Sequence, residues 1–165
     1  MLNFILENTI PKKKILSKVI IHSINFMLVN ISEDITLQTI SHDTGYSKFT
    51  ICKHFLSTYD IGPIKFLWDL RINIAYEIIL IYPDISNIYL SVILGFKSPS
   101  HFCRYFKKYY GQTPSKFKLE YLKRNHLINA TIIDFEHTIN LLILSFLNYF
   151  NITENTYATN YWYSF

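Results

Sequence analysis

From Lys18 to Asn30 the apolar positions Val19, Ile20, Ile24, Phe26, Met27 and Leu28 recur at spacings that place them on one broad helical face. Ser32 to Asp34 interrupts the pattern. Thr36 then caps a short segment, Leu37 to His42, whose Leu37 and Ile40 face the core, and Gly45 turns the chain. Ser47 caps the next segment, where Ile51 and Phe55 lie four apart on the buried side. Pro63 opens the longest helical stretch, to about Tyr82, because proline at a first helical position sacrifices no hydrogen bond. Pro83-Asp84 ends it. Ser86 to Leu94 forms another short helix, and Ser98-Pro99 caps one that carries Phe102 and Phe106. Thr113-Pro114 starts a last short helix to about Leu122, with Phe117 and Tyr121 at i and i+4. No segment from 18 to 122 alternates as a strand would.

The pattern repeats. Gly45-Tyr46-Ser47-Lys48 precedes a stretch ending at Phe55, and Gly95-Phe96-Lys97-Ser98 precedes a matching stretch ending at Phe106. Gly62-Pro63 and Gly111-Gln112-Thr113-Pro114 close the two units. A glycine between two short amphipathic segments allows the turn of a helix-turn-helix. The expected fold is therefore all-α: two helix-turn-helix subdomains (18–61 and 84–124) joined by a long connector helix (62–83). An N-terminal arm (1–17) precedes them, and an apolar helical extension (125–165) follows.

Superposing the units on their buried residues, with a turn one residue longer in the second, brings Cys52-Lys53 onto Cys103-Arg104. Thr50 then meets His101 and Phe49 meets Ser100. A small polarizable residue followed by a cation, twice, on outward helix faces suits a duplicated recognition surface. Lys53 or Arg104 there donates to guanine O6 and N7, and a neighbouring side chain meets a thymine methyl; a bidentate contact is worth about 1–3 kcal/mol of base discrimination. Ser47, Lys48, Lys97, Ser98, Thr113, Ser115 and Lys116 lie at or beside helix starts, where backbone N–H groups and hydroxyls meet phosphate, and Lys107 and Lys108 add further charge.

Charge supports a polyanion partner. Residues 1–124 hold all 16 Lys and Arg against 9 Asp and Glu, a balance of +7, whereas 125–165 hold no base and three acids, −3. The two cysteines, Cys52 and Cys103, show neither CxxC nor zinc-ligand spacing, so no disulfide framework or metal cofactor is indicated. Beside cationic neighbours they also fit a thiol sensor, because positive charge lowers a thiol pKa. Met1 to Ile10 lacks the basic start of a secretory signal, which points to the cytoplasm. The apolar run Thr138 to Phe150 is thirteen residues, short of the ~20 that span a bilayer. Paired carboxylates, a nucleophile with its base and a phosphate loop are all missing, which argues against an enzyme.

Gly45-Tyr46-Ser47-Lys48-Phe49 to Phe55, the Gly62-Pro63, Arg71 and Ala75 positions, and Gly95-Phe96, Ser98, Phe102, Phe106-Lys107-Lys108 and Gly111-Gln112-Thr113-Pro114-Ser115 resemble the DNA-binding domain of the AraC/XylS transcription regulators. The likeness covers roughly Lys18 to Arg124. With little chain before the domain, it is most similar to the short MarA/SoxS/Rob type. The resemblance implies a monomeric binder with both recognition helices in successive major grooves of promoter DNA, contact with RNA polymerase, and activation of a stress, drug-efflux or virulence regulon in the bacterial nucleoid. It also implies control by abundance, with no small-molecule effector.

By the same likeness Phe49, Cys52 and Lys53 are the base-facing positions of the first unit, and Ser100, Cys103 and Arg104 those of the second, with His101 beside them. MarA-type relatives carry tryptophan, glutamine and arginine in the first unit, so their target sequence does not transfer. Pro99 stands where relatives often have a polar base contact. Asn87, where an aliphatic is usually buried, and Ser91, at the usual small position, point to a looser second unit. A rigid connector reaches two grooves about 34 Å apart only if the DNA bends or the helices tilt. The extension has no counterpart in the short family members. Its Leu141-Leu142-Ile143-Leu144-Ser145-Phe146 run is covered by the domain, by self-association through 127–150, or by a membrane surface. A rival reading follows: a membrane-associated or oligomeric interaction protein that works through this tail.

Overall fold

The structure, a computed structural model, describes residues 16–124. The expectations for the arm before Leu16 and for the extension 125–165 lie outside these residues. Among the described residues there are seven helices: α1 Lys18–Val29, α2 Leu37–Thr44, α3 Lys48–Tyr59, α4 Pro63–Ile81, α5 Asn87–Ile93, α6 Pro99–Tyr110 and α7 Pro114–Arg124. The all-α expectation holds for them.

Hydroxyl side chains start most of the helices. Ser17, Ser47, Ser86 and Ser98 accept from the backbone N–H three residues on, which satisfies donors that a helix start leaves unpaired. Thr36 and Thr39 cap each other's backbone N–H at 3.2 and 3.0 Å. Thr113 Oγ1 accepts from Lys116 N at 3.3 Å.

The units repeat residue for residue. Thr36, Ile40 and Gly45 correspond to Ser86, Leu90 and Gly95 at an offset of 50, and Ser47, Phe55 and Pro63 to Ser98, Phe106 and Pro114 at 51. The extra residue lies in the second turn, as the pattern predicted. Both turns use a left-handed glycine, Gly45 at φ 71° and Gly95 at φ 63°. Gly62 does not take that role: its φ is −74°, and the left-handed residue that ends α3 is Asp60, at φ 57°. Asp60 stands where the second unit has Gly111.

The connector α4 is more than a spacer. Over 19 residues it buries Phe66, Leu67, Leu70, Ile72, Ile74 and Ile78, and one apolar cluster joins these to Ile51 and Phe55 of α3 and to Phe102 and Phe106 of α6. Both units are built on the same helix, because its apolar residues run almost all the way round it. Two of the buried polar residues on α4 are matched by partners from α6 and from α4 itself. Asp69 takes the Lys65 ammonium (2.7 Å to Oδ1) and the Tyr105 hydroxyl (3.2 Å), and Asn73 Oδ1 accepts from Tyr110 at 2.7 Å.

Arg71 is 1 % exposed and ties three segments together. Nε donates to the Ile31 carbonyl at 3.1 Å, Nη2 to that of Glu33 at 2.6 Å, and Nη1 to that of Gly95 at 2.9 Å. Its guanidinium also lies 4.7 Å from the Trp68 ring. Burial lowers its pKa to about 10, offset in part by Asp34, so it stays cationic at neutral pH.

Asn87 has partners across the second unit. Its Nδ2 donates to Ser115 Oγ at 3.0 Å, and its Oδ1 accepts from Lys118 Nζ at 2.8 Å. A polar clamp between α5 and α7 thus replaces the buried aliphatic contact. Ser91 is buried, and its hydroxyl bonds back to the Ile88 carbonyl at 2.7 Å.

Candidate nucleic-acid interface

The helices α3 and α6 are both 12 residues long, both open on a serine cap, and both bury their fourth and eighth residues. Those are Ile51 and Phe55 in one and Phe102 and Phe106 in the other, all fully buried. The equal register fixes which residues face outward. At i, i+4 and i+7 the outer face of α3 presents Phe49, Lys53 and Leu56, and that of α6 presents Ser100, Arg104 and Lys107, all exposed.

Phe49 is 76 % exposed, the most exposed of the large hydrophobic side chains among the described residues. Leu56, 52 % exposed, shares that face. The residue pattern did not single it out, although Lys107 at the matched position of α6 was available as a signal.

Cys52 and Cys103 sit at the edge of this face, each half-buried. Burial pushes the Cys103 thiol up, against a smaller opposing effect of Lys118, and so opposes the sensor alternative for that cysteine. His101 is also half-buried and packs inward. Its ring lies 5.0 Å from that of Trp68 and 5.5 Å from that of Phe96, both edge to face. Burial, with Arg104, Lys97 and Arg71 nearby, lowers its pKa.

Neither α3 nor α6 carries an acidic residue. Lys48, Lys97, Lys107 and Lys108 are exposed, and like Lys53 and Arg104 they form no ion pair with another described residue. Lys65, by contrast, is neutralised by Asp69, and Lys116 lies 3.8 Å from Glu120. Ser47 and Ser98 accept the caps from Thr50 N and His101 N (both 3.1 Å), and the Ser47 hydroxyl also shares a hydrogen bond with Thr50 Oγ1 at 2.8 Å. The Ser115 hydroxyl accepts from Asn87, and Thr113 caps α7; both residues are exposed. No group of three or more His, Cys, Asp or Glu among the described residues could hold a metal ion. No helix among them is long and apolar enough to cross a membrane.

Two helix-turn-helix units of matched register on one shared helix define an AraC-type DNA-binding domain. A family model described as a helix-turn-helix domain matches residues 15–120, and the chain belongs to this family, of the AraC/XylS type. Its members are regulators and not enzymes. The virulence regulon transcriptional activator VirF of Shigella flexneri is 33 % identical over 94 residues, which is 57 % of this chain and 35 % of VirF. The HTH-type transcriptional regulator YdiP of Escherichia coli K12 is 29 % identical over 110 residues, 67 % of this chain and 35 % of YdiP. The chain thus spans about a third of the length of these relatives.

Solved structures share the fold. The DNA-binding domain of the global transcriptional factor AdpA, in complex with a target DNA, superposes with a TM-score of 0.61 at 21 % identity, over 68 % of this chain and all of that one. A DNA-binding transcriptional dual regulator of Escherichia coli K-12 does so with a TM-score of 0.60 at 22 % identity, over the same shares.

Proposed function

We propose that this chain is a sequence-specific transcription regulator that reads two successive major-groove half-sites, α3 in one and α6 in the other. One observation carries the reading: both helices present, in the same register, a cation-bearing and acid-free face. Lys53 and Arg104 supply guanine contacts, Phe49 meets a thymine methyl, Ser100 faces the bases from α6, and Cys52 and Cys103 line the edges. His101 positions α6 from behind and reaches DNA through its outer edge. Ser47, Lys48, Lys97, Ser98, Lys107, Lys108, Thr113, Ser115 and Lys116 hold the phosphates on either side. The shared core on α4 keeps the two helices at a fixed separation, so the duplex bends to meet both.

Activation of a virulence-type regulon is supported by the likeness to VirF; contact with RNA polymerase in the cytoplasm belongs to the same proposal. The binding mode is tested by selecting duplexes from a random pool with the full chain. The expected product is a bipartite site with centres about 10 bp apart and, for some six phosphates neutralised, a log–log salt slope of about −5. A single short half-site with a shallow slope would sink the two-groove reading.

A further inference from the structure

The helices α2 and α5 are the same element of the two units, each opened by a hydroxyl cap and each burying an aliphatic at the same place, Ile40 or Leu90. Their outward faces differ in kind. Where α2 exposes Gln38 and His42, α5 exposes Ile88 and Val92, at 66 and 64 %. The first unit shows that this fold works with polar side chains there. The apolar stripe on α5 is therefore not a demand of the core.

A second apolar pair continues from it. Ser115, Lys118, Leu119 and Leu122 stand at i, i+3, i+4 and i+7, on one face of α7. Ser115 and Lys118 grip Asn87 at the start of α5, and Leu119 and Leu122 carry the same face onward, 54 and 38 % exposed. One apolar pair stands on each of the two helices that Asn87 links. Scattered exposed apolar residues are ordinary, but two stripes on linked helices form a patch that calls for a cover.

We propose that residues 138–150 of this same chain dock across the α5–α7 seam. The segment holds the Leu141-Leu142-Ile143-Leu144 run and Phe146, an apolar surface that matches the patch in kind. Thirteen residues, 125–137, separate it from the end of α7. Fully extended they reach about 43 Å, well beyond the ~17 Å length of α7 itself, so a return onto that helix is within range. Charge agrees. Residues 125–165 contain no Lys or Arg but Asp134, Glu136 and Glu154, while α7 exposes Lys123, which holds no phosphate in the proposed complex. No residue of α3 or α6 belongs to the patch, so docking leaves the outer faces of both recognition helices open.

The test uses the full chain with benzoylphenylalanine in place of Ile88. Irradiation is expected to yield a cross-link to a peptide within 138–150, in a single-chain product whose yield does not change on dilution. In parallel, the double substitution Ile88→Gln with Val92→His installs the residues that α2 already carries. It is expected to speed hydrogen exchange in 138–150 by about tenfold while leaving DNA affinity unchanged. A cross-link found only between two chains and lost on dilution would overturn the proposal in favour of a second copy. Sedimentation of the full chain with anionic lipid vesicles, abolished by the double substitution, would overturn it in favour of a membrane surface. Unchanged exchange in 138–150 would overturn it outright.

Discussion

Arg71 donates from Nη1 to the carbonyl oxygen of Gly95 at 2.9 Å, so the connector holds the turn of the second unit by its backbone. The same guanidinium holds the loop between α1 and α2 through Ile31 and Glu33. One side chain therefore ties both units to α4. The contact also explains why residue 95 is glycine: a Cβ there would lie 2.6 Å from Arg71 Nη2 and 2.8 Å from the Ser32 carbonyl oxygen.

Gly95→Ala and Gly111→Ala should separate strain from crowding. Both positions are left-handed, but nothing lies within 4 Å of a Cβ at Gly111. Gly111→Ala should cost about 1–2 kcal/mol, the left-handed penalty alone. Gly95→Ala should cost roughly twice that or more, because Arg71 must also shift and leave carbonyls unpaired. Urea unfolding of the two variants checks the difference; equal losses would contradict the Arg71 account.

Asp60→Gly should stabilise the protein, by about 0.5 kcal/mol. Asp60 is the one non-glycine residue with positive φ among the described residues. Glycine removes the left-handed strain, and the larger entropy of its unfolded chain returns part of the gain. A rise in the urea midpoint at unchanged slope is the expected sign.

Much of this was legible in the sequence because the determinants are local. Caps at Ser47, Ser86 and Ser98, prolines at 63, 99 and 114, and apolar pairs four apart each act within one turn of helix. The contacts that escaped are long-range or backbone-directed. Arg71 reaches carbonyls 24 to 40 residues away, and no periodicity marks such a reach. Gly62 drew attention from Asp60, because composition shows which residue tolerates positive φ and not which one adopts it. The helical period sets His101 beside Ser100, but only the packed structure shows Trp68 and Phe96 holding its ring inward. Asn87 was expected to loosen α5 for want of its partners, Ser115 and Lys118, which lie 28 and 31 residues on.

Acid should weaken the fold through His101. Its pKa is lowered from 6.5, first by burial and then by Arg104, Lys97 and Arg71, so the unfolded chain takes the proton more readily than the folded one. Stability is then unaffected above neutrality and falls as pH drops below about 6.5. His101→Gln should flatten that part of the profile, as judged by urea midpoints at about pH 7.5 and 5.5. An unchanged slope in the variant would place the effect elsewhere.

Cys103 should be a poor redox sensor. Its thiol is raised by burial, so thiolate forms only above the ordinary range. In a Cys52→Ser background, iodoacetamide should label Cys103 slowly at neutral pH and faster as pH rises, and mild peroxide should leave DNA affinity intact.

The most direct test of paired recognition measures Lys53→Ala and Arg104→Ala against the selected duplex and against versions with one or the other half scrambled, at fixed salt. Each variant should lose about tenfold on the intact site and nothing further once its own half is scrambled, while remaining sensitive to the other half. If both variants lose affinity equally on every duplex, Lys53 and Arg104 contact only phosphate, and the two helices do not read separate half-sites.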